Sequence, residues 1–344
     1  MRIGIAFDLA PASRPADEPD DLFEEFDKPE TVEAIARVLR GAGHEVVLLG
    51  DGRELLMKLL EDPPDLVWNL AEGEGVGRCR ESRVPAVLEM LDIPCTGSDP
   101  FTLAAALDKP VAKALVSGVV AVPLGWILGP RATGQDLQRL ASGLSEGRGP
   151  WIVKPAFEGS SKGIRARSLV DTPEQALELA GSLARDYRQP ILVEEYILGD
   201  EVTVGIVGNG PTAEVVGAMK VRPKVRDDRF VYSLEYKRDW DDRIDYETPA
   251  RLPADATLAL HTAALGAFAA LGCRDVARID FRVREGVPYF LEANPLPGLA
   301  PDWSDLVILA NGMGLGHPAL ILKILDATLT RIGRLVPRRV GPPG

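Results

Sequence analysis

The sequence predicts a protein of mixed α/β and α+β class, with a parallel α/β unit at the N-terminus and a larger α+β region behind it. In residues 1–95, apolar strand-like segments alternate with amphipathic helix-like segments. This alternation is typical of a parallel sheet covered by helices. Later strands, such as 202–207 and 213–219, follow each other without an intervening helix. The length of 344 residues fits two or three units that share a large core.

The elements of the N-terminal unit come in the order strand, helix, strand, helix, strand. We predict strands at 3–7, 45–49 and 66–70, and helices at 31–41 and 53–60. Ligand-contacting loops in such sheets follow the carboxyl ends of the strands, which singles out Asp8 and residues 69–72. Residues 10–29, rich in proline and acids, predict a surface loop that is either a lid over the first substrate or solvated disorder.

The rest of the chain predicts a longer series of elements. A helical segment opens at residues 97–100, with Ser98 or Asp99 as its N-cap. We predict strands at 151–155, 165–169, 191–196, 202–207 and 213–219, and helices at 173–185, 256–271 and 318–331. Residues 220–242 are polar and patternless, which indicates a functional lid or disorder. The predicted units are 1–98, 99–190 and 191–336, with a flexible tail at 337–344.

Composition excludes several classes of protein. The formal charge of −12 argues against a nucleic-acid binder, which needs basic surface to neutralise phosphates. No apolar run approaches the roughly 20 residues that span a bilayer, so we expect no membrane partner. The three cysteines lack metal-like spacing, and the N-terminus lacks the features of a signal peptide. These features predict a cytoplasmic location with free thiols.

Two short apolar runs near the C-terminus carry a candidate metal site. Residues 277–281 and 291–298 flank a turn-like segment at 284–288, so a hairpin would bring together Asp280, Glu292 and Asn294. Mg²⁺ prefers oxygen ligands, commonly one or two carboxylates plus the phosphates of a nucleotide. Either Asp280 or Glu292 alone would be equally consistent with an ordinary charged residue at the end of a strand. Together, ahead of a Pro-Gly turn, they predict a metal site for nucleotide chemistry.

Two further segments predict contacts with a nucleotide. Lys154 ends a strand and precedes the small-residue loop 158–163, where backbone N–H groups can approach phosphate oxygens. By itself this loop also fits a simple hairpin, and Lys109 would by default be a solvated lysine. Residues 193–201 form a strand that ends in acids, which can accept hydrogen bonds from a ribose diol. The alternative there is an edge strand protected by its charges.

In their order along the chain, these segments resemble the ATP-grasp superfamily, most closely the D-alanine–D-alanine ligase family. The resemblance covers residues 65–330 and rests on the segments at 68–73, 93–98, 107–109, 153–155, 158–161, 194–201, 237, 278–280 and 292–298. It implies an ATP-grasp fold behind an N-terminal parallel α/β (pre-ATP-grasp) domain. It also implies a cytoplasmic enzyme of peptidoglycan synthesis that acts on small amino acids, with a homodimer plausible.

The resemblance also implies roles for individual residues. It assigns contacts with the ATP phosphates to Lys109, Lys154 and Lys237, and contacts with adenosine to Glu194, Glu195, Ile197 and Glu201. It assigns the binding of Mg²⁺ (or Mn²⁺) to Asp280, Glu292 and Asn294. The oxyanion-stabilising pair is Arg278 with the backbone N–H of Gly298, while Ser160 organises the loop over the site and Ser304 meets the carboxylate of the second substrate. The implied reaction is transfer of the ATP γ-phosphoryl group to a carboxylate, followed by attack of an amine on the acyl phosphate. A closing lid would exclude water, and residues 222–238 are the candidate.

The sequence departs from the family's pattern at three places. The N-terminal motif that holds the ammonium of the first substrate is absent, and Asp8 or an acid within 17–21 is the candidate replacement. The histidine expected after residues 69–71 is Glu72, whose carboxylate would prefer an ammonium. A tyrosine expected after Lys237 is Arg238, which either favours an acidic group or faces solvent. A ligase for another amino-acid pair or a small-molecule amide, a carboxylate kinase and a non-catalytic ATP-binding protein therefore stay open as alternatives.

Overall fold

The computed structural model describes residues 1–11, 13, 15, 18–147 and 149–333. The predicted tail at 337–344 and Asp17 of the acidic loop lie outside the described residues. Three sheets organise the described chain, one for each of the three regions along the sequence. The division into units at residues 98, 190 and 336 stays a prediction.

The N-terminal sheet is parallel, as the alternating pattern predicted. Its strands are β1 (Arg2–Ala6), β2 (Glu45–Gly50) and β3 (Leu66–Asn69), in the order β2-β1-β3, and its helices are α1 (Pro29–Gly41), α2 (Gly52–Glu61) and α3 (Arg83–Met90). Helices cover both faces, because Ile3 and Ile5 pack in one apolar cluster with α1 while Ala6 packs in another with α2 and α3. The carboxyl ends of β1 and β3 therefore place Asp8 and the loop after Asn69 side by side.

The central region begins with two short helices, α4 (Pro100–Leu107) and α5 (Lys109–Val116). The Asp99 side chain caps α4 by accepting a hydrogen bond from Thr102 N. The sheet that follows is antiparallel, in the order β4-β7-β5-β6. Its elements are β4 (Gly125–Leu128), α6 (Gly134–Glu146), β5 (Trp151–Pro155), β6 (Leu169–Val170), α7 (Pro173–Tyr187) and β7 (Ile191–Glu195). This sheet extends past the predicted unit boundary at residue 190, since β7 pairs with β4 and β5.

The predicted strand at 165–169 is wrong for most of its length. Residues Ala166–Ser168 form a single 3₁₀ turn, and only Leu169–Val170 pair as a strand. The Ser168 hydroxyl accepts a hydrogen bond from Arg165 N, and Ser168 N donates to the Arg165 carbonyl. Local bonds of a serine to its neighbouring backbone compete with a sheet ladder, which alternation of apolar residues does not reveal.

The C-terminal sheet is antiparallel and has the order β10-β9-β8-β11-β12. Its strands are β8 (Asp200–Gly208), β9 (Glu214–Pro223), β10 (Ile244–Glu247), β11 (Asp275–Arg284) and β12 (Val287–Asn294). The predicted patternless segment 220–242 is more ordered than expected, since β9 runs to Pro223 and two short helices follow. The helices of this region are α8 (Leu234–Arg238), α9 (Trp240–Arg243), α10 (Ala254–Leu271), α11 (Asp305–Gly312) and α12 (His317–Arg331).

One helix in the described part of the chain, α10, is long and apolar enough to cross a membrane. The helices α11 and α12, bent by 106° at the break between them, would also be long and apolar enough if they formed a single span. The side chains of Leu260, Phe268 and Leu271 in α10 are buried in the core cluster formed with β8 and β11. The apolar character of α10 is therefore accounted for by packing within the protein.

Candidate active site

The predicted metal hairpin forms from β11 and β12, closed by the two-residue turn Glu285–Gly286, which is shorter than predicted. Both turn residues have positive φ, 53° and 79°, as the preferred two-residue hairpin turns require. Asp280 and Glu292 stand directly opposite each other across the two strands. Thr203 Oγ1 donates to Asp280 Oδ1 at 2.9 Å, and Asn294 Nδ2 lies 3.2 Å from Asp280 Oδ2. The three predicted ligands thus meet at one end of the sheet.

Arg278 links the hairpin to the start of α11. Its guanidinium lies 2.9 Å from Asp280, 3.3 Å from Asp305 and 4.0 Å from Glu292. Lys109 Nζ lies 3.3 Å from the other oxygen of Glu292. Burial would raise the pKa of Glu292, but Lys109 and Lys154 hold it at about 2. Glu292 is therefore ionised at neutral pH, while burial raises the pKa of Asp280 and Arg278 opposes that rise.

The donor set at this end of the sheet fits a hard divalent cation. It consists of two carboxylates and one amide, which are the oxygen ligands that Mg²⁺ takes alongside phosphate oxygens. No group of three His, Cys, Asp or Glu side chains in the described ranges is arranged to hold a metal ion. A cation here would accordingly need oxygens from a bound nucleotide to complete its coordination. Softer metals that require nitrogen or sulfur ligands do not fit.

Lys154 and the predicted adenosine contact Glu194 form a buried ion cluster. Glu194 is fully buried on β7, between Lys154 Nζ at 2.6 Å and Lys113 Nζ at 3.2 Å. Lys113 also donates to the carbonyls of Phe290 and Leu291 on β12, at 3.0 and 2.8 Å. The two lysines lower the pKa of Glu194 against the effect of burial. Lys113 therefore links Glu194 of the central sheet to β12 of the C-terminal sheet, and Lys154 lies on the other side of Glu194.

The other predicted adenosine residues lie at the following turn. Ile197 is buried, Glu195 pairs with Arg284 at 2.8 Å, and Glu201 pairs with Arg282 at 2.7 Å. Glu201 lines a separate cleft, which neither Lys109 nor Arg278 lines. These side chains and Glu194 do not line the two cavities described next, so their contact with adenosine stays a prediction.

Two neighbouring cavities meet at Arg278. The first cavity, of about 80 Å³, is lined by eight of the predicted residues. The second, of about 510 Å³, is lined by six of them, four of which also line the first. The first contains Glu72, Lys109, Ser160, Arg278, Glu292, Asn294, Gly298 and Ser304, and the second contains Ser160, Lys237, Arg238, Arg278, Gly298 and Ser304. Two openings on one arginine are the arrangement expected for two substrates that react with each other.

The wall shared by the two cavities depends on a glycine and on an unusual backbone. A Cβ on Gly298 would lie 2.9 Å from Ser304 Oγ, so any other residue here would displace the Ser304 side chain or the loop. Ser304 Oγ accepts from Ala300 N at 2.9 Å, which folds the loop back towards Arg278. On the opposite side, Ser160 has φ of 46° and Ser161 has φ of 59°, left-handed conformations that non-glycine residues rarely adopt. The Ser161 hydroxyl donates to the carbonyl of Tyr232 at 2.9 Å.

The candidate lid is docked over this wall. Leu234 N donates to the Ile164 carbonyl at 3.0 Å, and Lys237 Nζ lies 5.0 Å from the centre of the Tyr232 ring, facing the second cavity. Arg238 is exposed, and its charge is shared with acids of the N-terminal loop. Its guanidinium pairs with Asp20 and Glu24 of the N-terminal loop, both at 2.8 Å. A direct role of Arg238 in choosing the second substrate stays a prediction.

Residues 18–27 of the N-terminal acidic loop are packed against the rest of the protein, so this part of the loop is not solvated disorder, whereas the described residues before it are exposed. Asp21 is fully buried and accepts hydrogen bonds from Gly163 N at 2.9 Å and from the Tyr187 hydroxyl at 2.8 Å. Asp8, predicted as a replacement anion, is 3% exposed and accepts from Gly73 N at 2.5 Å, and burial raises its pKa to about 7. Three acids later in this loop, Glu24, Glu25 and Asp27, line the first cavity.

Sequence reasoning missed one charged cluster beside the first cavity. Glu25 pairs with Arg80 at 2.8 Å and with Lys162 at 3.1 Å, and Glu158 pairs with the same two cations at 3.2 and 2.6 Å. Glu81, next to Arg80, lines the cavity. The run 78–83 contains several charges ahead of the apolar helix α3, which was the only signal in the sequence.

Comparisons with known proteins agree with this geometry. Residues 131–326 match the family model "D-ala D-ala ligase C-terminus". A D-alanine–D-alanine ligase of Anaeromyxobacter sp. (strain Fw109-5) is 33% identical over 297 residues, covering 85% of this chain and 89% of that protein. A second, from Pelotomaculum thermopropionicum, is 31% identical over 314 residues, covering 88% and 92%.

Solved structures support the fold. The D-alanine–D-alanine ligase of Bacillus anthracis, solved in complex with ATP, superposes with a TM-score of 0.72, covering 96% of this chain and 98% of that one at 21% identity. The expected ATP-grasp fold with its N-terminal parallel α/β domain is confirmed. The match to the family model and the identity to these relatives show that the chain belongs to the D-alanine–D-alanine ligase family.

Proposed function

We propose that this protein is an ATP- and Mg²⁺-dependent ligase that joins the carboxylate of one amino acid to the amine of another, giving a dipeptide of the D-alanyl-D-alanine type. An ATP-dependent ligase is the enzyme class of the family. The observation that carries the proposal is the meeting of two cavities at Arg278 and Gly298, beside Asp280 and Glu292. A protein that only binds ATP has no need of a second cavity at that arginine.

The residues around the cavities support a role for each in this reaction. Lys109 and Lys154 offer positive charge to the phosphates, and Lys237 faces the same region from the lid. Asp280, Glu292 and Asn294 would hold Mg²⁺, which supplies charge neutralisation on the phosphoryl oxygens when bound. Lys109 now neutralises Glu292 and would exchange that contact for a phosphate.

The second step also has candidate groups on this chain. Once the first carboxylate is activated as an acyl phosphate, the amine from the second cavity attacks its carbonyl carbon, and phosphate leaves as the amide forms. The attacking ammonium must first lose a proton, and the tetrahedral oxyanion needs hydrogen-bond donors. Arg278 and the Gly298 N–H stand between the cavities and would supply them. Removal of one such donor typically costs about 10²–10³-fold in kcat. Ser304 would receive the carboxylate of the second amino acid.

The test measures ADP release and the products together. The purified protein is incubated with ATP, Mg²⁺ and a mixed pool of D- and L-amino acids, and mass spectrometry identifies new amides. ADP with a new amide supports the proposal. ADP without an amide would indicate a carboxylate kinase, and nucleotide binding without turnover would indicate a binding protein. A double variant, Asp280→Ala with Glu292→Ala, should lose turnover, while the exposed pair Glu178→Gln with Asp255→Asn should not.

The role of the protein in the cell follows from the dipeptide that it makes. If the product is D-alanyl-D-alanine, a cytoplasmic place in peptidoglycan synthesis follows. Glu72 and Arg238 are our candidates for residues that direct the choice of substrate, and another amino-acid pair or a small-molecule amide is the second candidate product. A homodimer through the N-terminal unit stays a prediction, which sedimentation of the purified protein would test.

A further inference from the structure

The first cavity has a large excess of acidic side chains. Seven carboxylates line it, against two basic side chains, Lys109 and Arg278. Four of the seven have cationic partners: Glu292 pairs with Lys109, Glu24 pairs with Arg238, and Glu25 and Glu158 share two cations. The three others, each lining the cavity, are Asp27, Glu72 and Glu81.

Glu81 is the most informative of these three. Its side chain is only 7% exposed and faces the cavity, yet its carboxylate forms no hydrogen bond or salt bridge with any other residue that the structure describes. The neighbouring Arg80 already forms salt bridges with Glu25 and Glu158. Buried polar groups are nearly always hydrogen-bonded. A buried carboxylate without a partner at a cavity wall therefore indicates that its partner arrives with the ligand.

The two acids beside it are half-buried and also lack a partner. Neither Glu72 nor Asp27 forms a side-chain hydrogen bond or salt bridge within the described ranges. Burial raises the pKa of Glu81 to about 8 and that of Asp27 to about 7, and burial together with Glu81 raises the pKa of Glu72 well above its usual range. Arg80 opposes the rise at Glu81 and at Glu72 but does not offset burial, and a further positive charge nearby would lower both pKa values. The cavity wall is thus short of positive charge.

Taking the proposed ligase function as its premise, we propose that the first substrate is an amino acid with a basic side chain, whose two positive groups are held by Glu72, Glu81 and Asp27. The α-ammonium of an alanine would pair with one of these acids and leave the others without a partner, next to a methyl group. An acid left without a partner here either keeps a proton or carries an unpaired charge in a buried site, which is costly. A second ammonium or a guanidinium supplies the missing charge and the missing donors. The carboxylate of the substrate would then point towards Lys109 and Arg278.

The test uses the wild-type protein with ATP and Mg²⁺. The first substrates are alanine, 2,4-diaminobutyrate, ornithine, lysine and arginine, each as both enantiomers, and mass spectrometry of the amide identifies the residue at its amino end. We expect kcat/KM for at least one basic amino acid to exceed that for D-alanine by tenfold or more. Equal or better turnover of D-alanine would overturn this inference and leave the ligase function standing. Absence of an amide with every amino acid would instead overturn the ligase function.

Variants separate a binding role from a structural one. Glu81→Gln and Glu72→Gln should each raise KM for the basic substrate about tenfold to a hundredfold, the range for a charge-assisted hydrogen bond, with a smaller change for D-alanine. Glu74→Gln is the matched control, since Glu74 is exposed, lies on the same loop and does not line the first cavity. An equal loss for basic and neutral substrates would contradict the inference.

A binding measurement on the wild type covers the case in which these variants do not fold. With ADP and Mg²⁺ present, ornithine or lysine should raise the thermal midpoint more than D-alanine at the same concentration. Equal midpoints would overturn the inference without recourse to any variant.

Discussion

Replacement of Glu25 by glutamine should destabilise the protein by about 3 kcal/mol. The Glu25 side chain is 3% exposed and lies between Arg80, at 2.8 Å, and Lys162, at 3.1 Å. It also accepts a hydrogen bond from Gly159 N. In the Glu25→Gln variant, Glu158 alone would face both cations, and the new amide group would point N–H donors at one of them. Removal of one partner from a buried ion pair typically costs about 3–5 kcal/mol.

The pKa of Glu25 gives a second value for the free energy that its charge contributes to folding. Burial would raise the pKa of Glu25, but Arg80 and Lys162 hold it at about 2, against 4.5 in the unfolded chain. A difference of roughly 2.5 pKa units at about 1.4 kcal/mol per unit corresponds to about 3–4 kcal/mol. Because the pKa is lower in the folded state, this stabilisation is complete above pH 4.5 and is lost as pH falls towards 2. At pH 4, just below the pKa of the unfolded chain, part of this stabilisation should already be lost.

The assay is urea unfolding followed by circular dichroism, at pH 7 and again at pH 4. At pH 7 the free energy of unfolding of the wild type should exceed that of Glu25→Gln by about 3 kcal/mol. This difference should be smaller at pH 4. Glu178→Gln, an exposed substitution on α7, should change stability by less than about 0.5 kcal/mol. A loss below about 1 kcal/mol for Glu25→Gln, or a difference that widens at acidic pH, would refute the account of this cluster.

Three further predictions concern other parts of the fold and the site. Asp275, fully buried, accepts hydrogen bonds from Gly97 N at 2.9 Å, from Thr328 at 2.7 Å and from Arg331 at 2.7 Å. Asp275→Asn should therefore cost about 3–5 kcal/mol in urea unfolding, and an unchanged midpoint would contradict its role in joining three elements. Gly298→Ala should lower kcat/KM for amino-acid-dependent ADP release at least tenfold, because the new methyl group meets Ser304 Oγ at 2.9 Å. The same variant should keep its stabilisation by ATP in a thermal melt; full activity would show that the loop adjusts. Removal of divalent metal with EDTA should abolish ADP release, and Mg²⁺ or Mn²⁺ should restore it; release that persists without metal would exclude the assigned role of the hairpin acids.

Local patterns in the sequence sufficed for the fold class and for most of the elements. The alternation of apolar residues predicts β1 to β3 and α1, and the two runs at 277–281 and 291–298 predict β11 and β12 to within a few residues. Asp280 and Glu292 were expected at one end of a hairpin, and they stand opposite each other. Such features depend on neighbours a few positions apart, which the sequence displays directly.

The partners of the charged side chains could not be predicted in this way. Arg238 was expected either to favour an acidic group or to face solvent. Its exposed guanidinium also pairs with Asp20, 218 positions away in the chain, a partner that no local pattern indicates. Glu25 contacts Gly159 across 134 positions.

By itself, then, the sequence determined the fold class, the family and the order of the site segments along the chain, because apolar periodicity and short motifs act over a few residues. Only the tertiary structure decided which acids are neutralised and which face the cavity without a partner. That outcome depends on where three separate sheets bring their loops together. Two charges interact more strongly inside the protein than in water, so the presence or absence of each buried ion pair has a larger effect on the free energy.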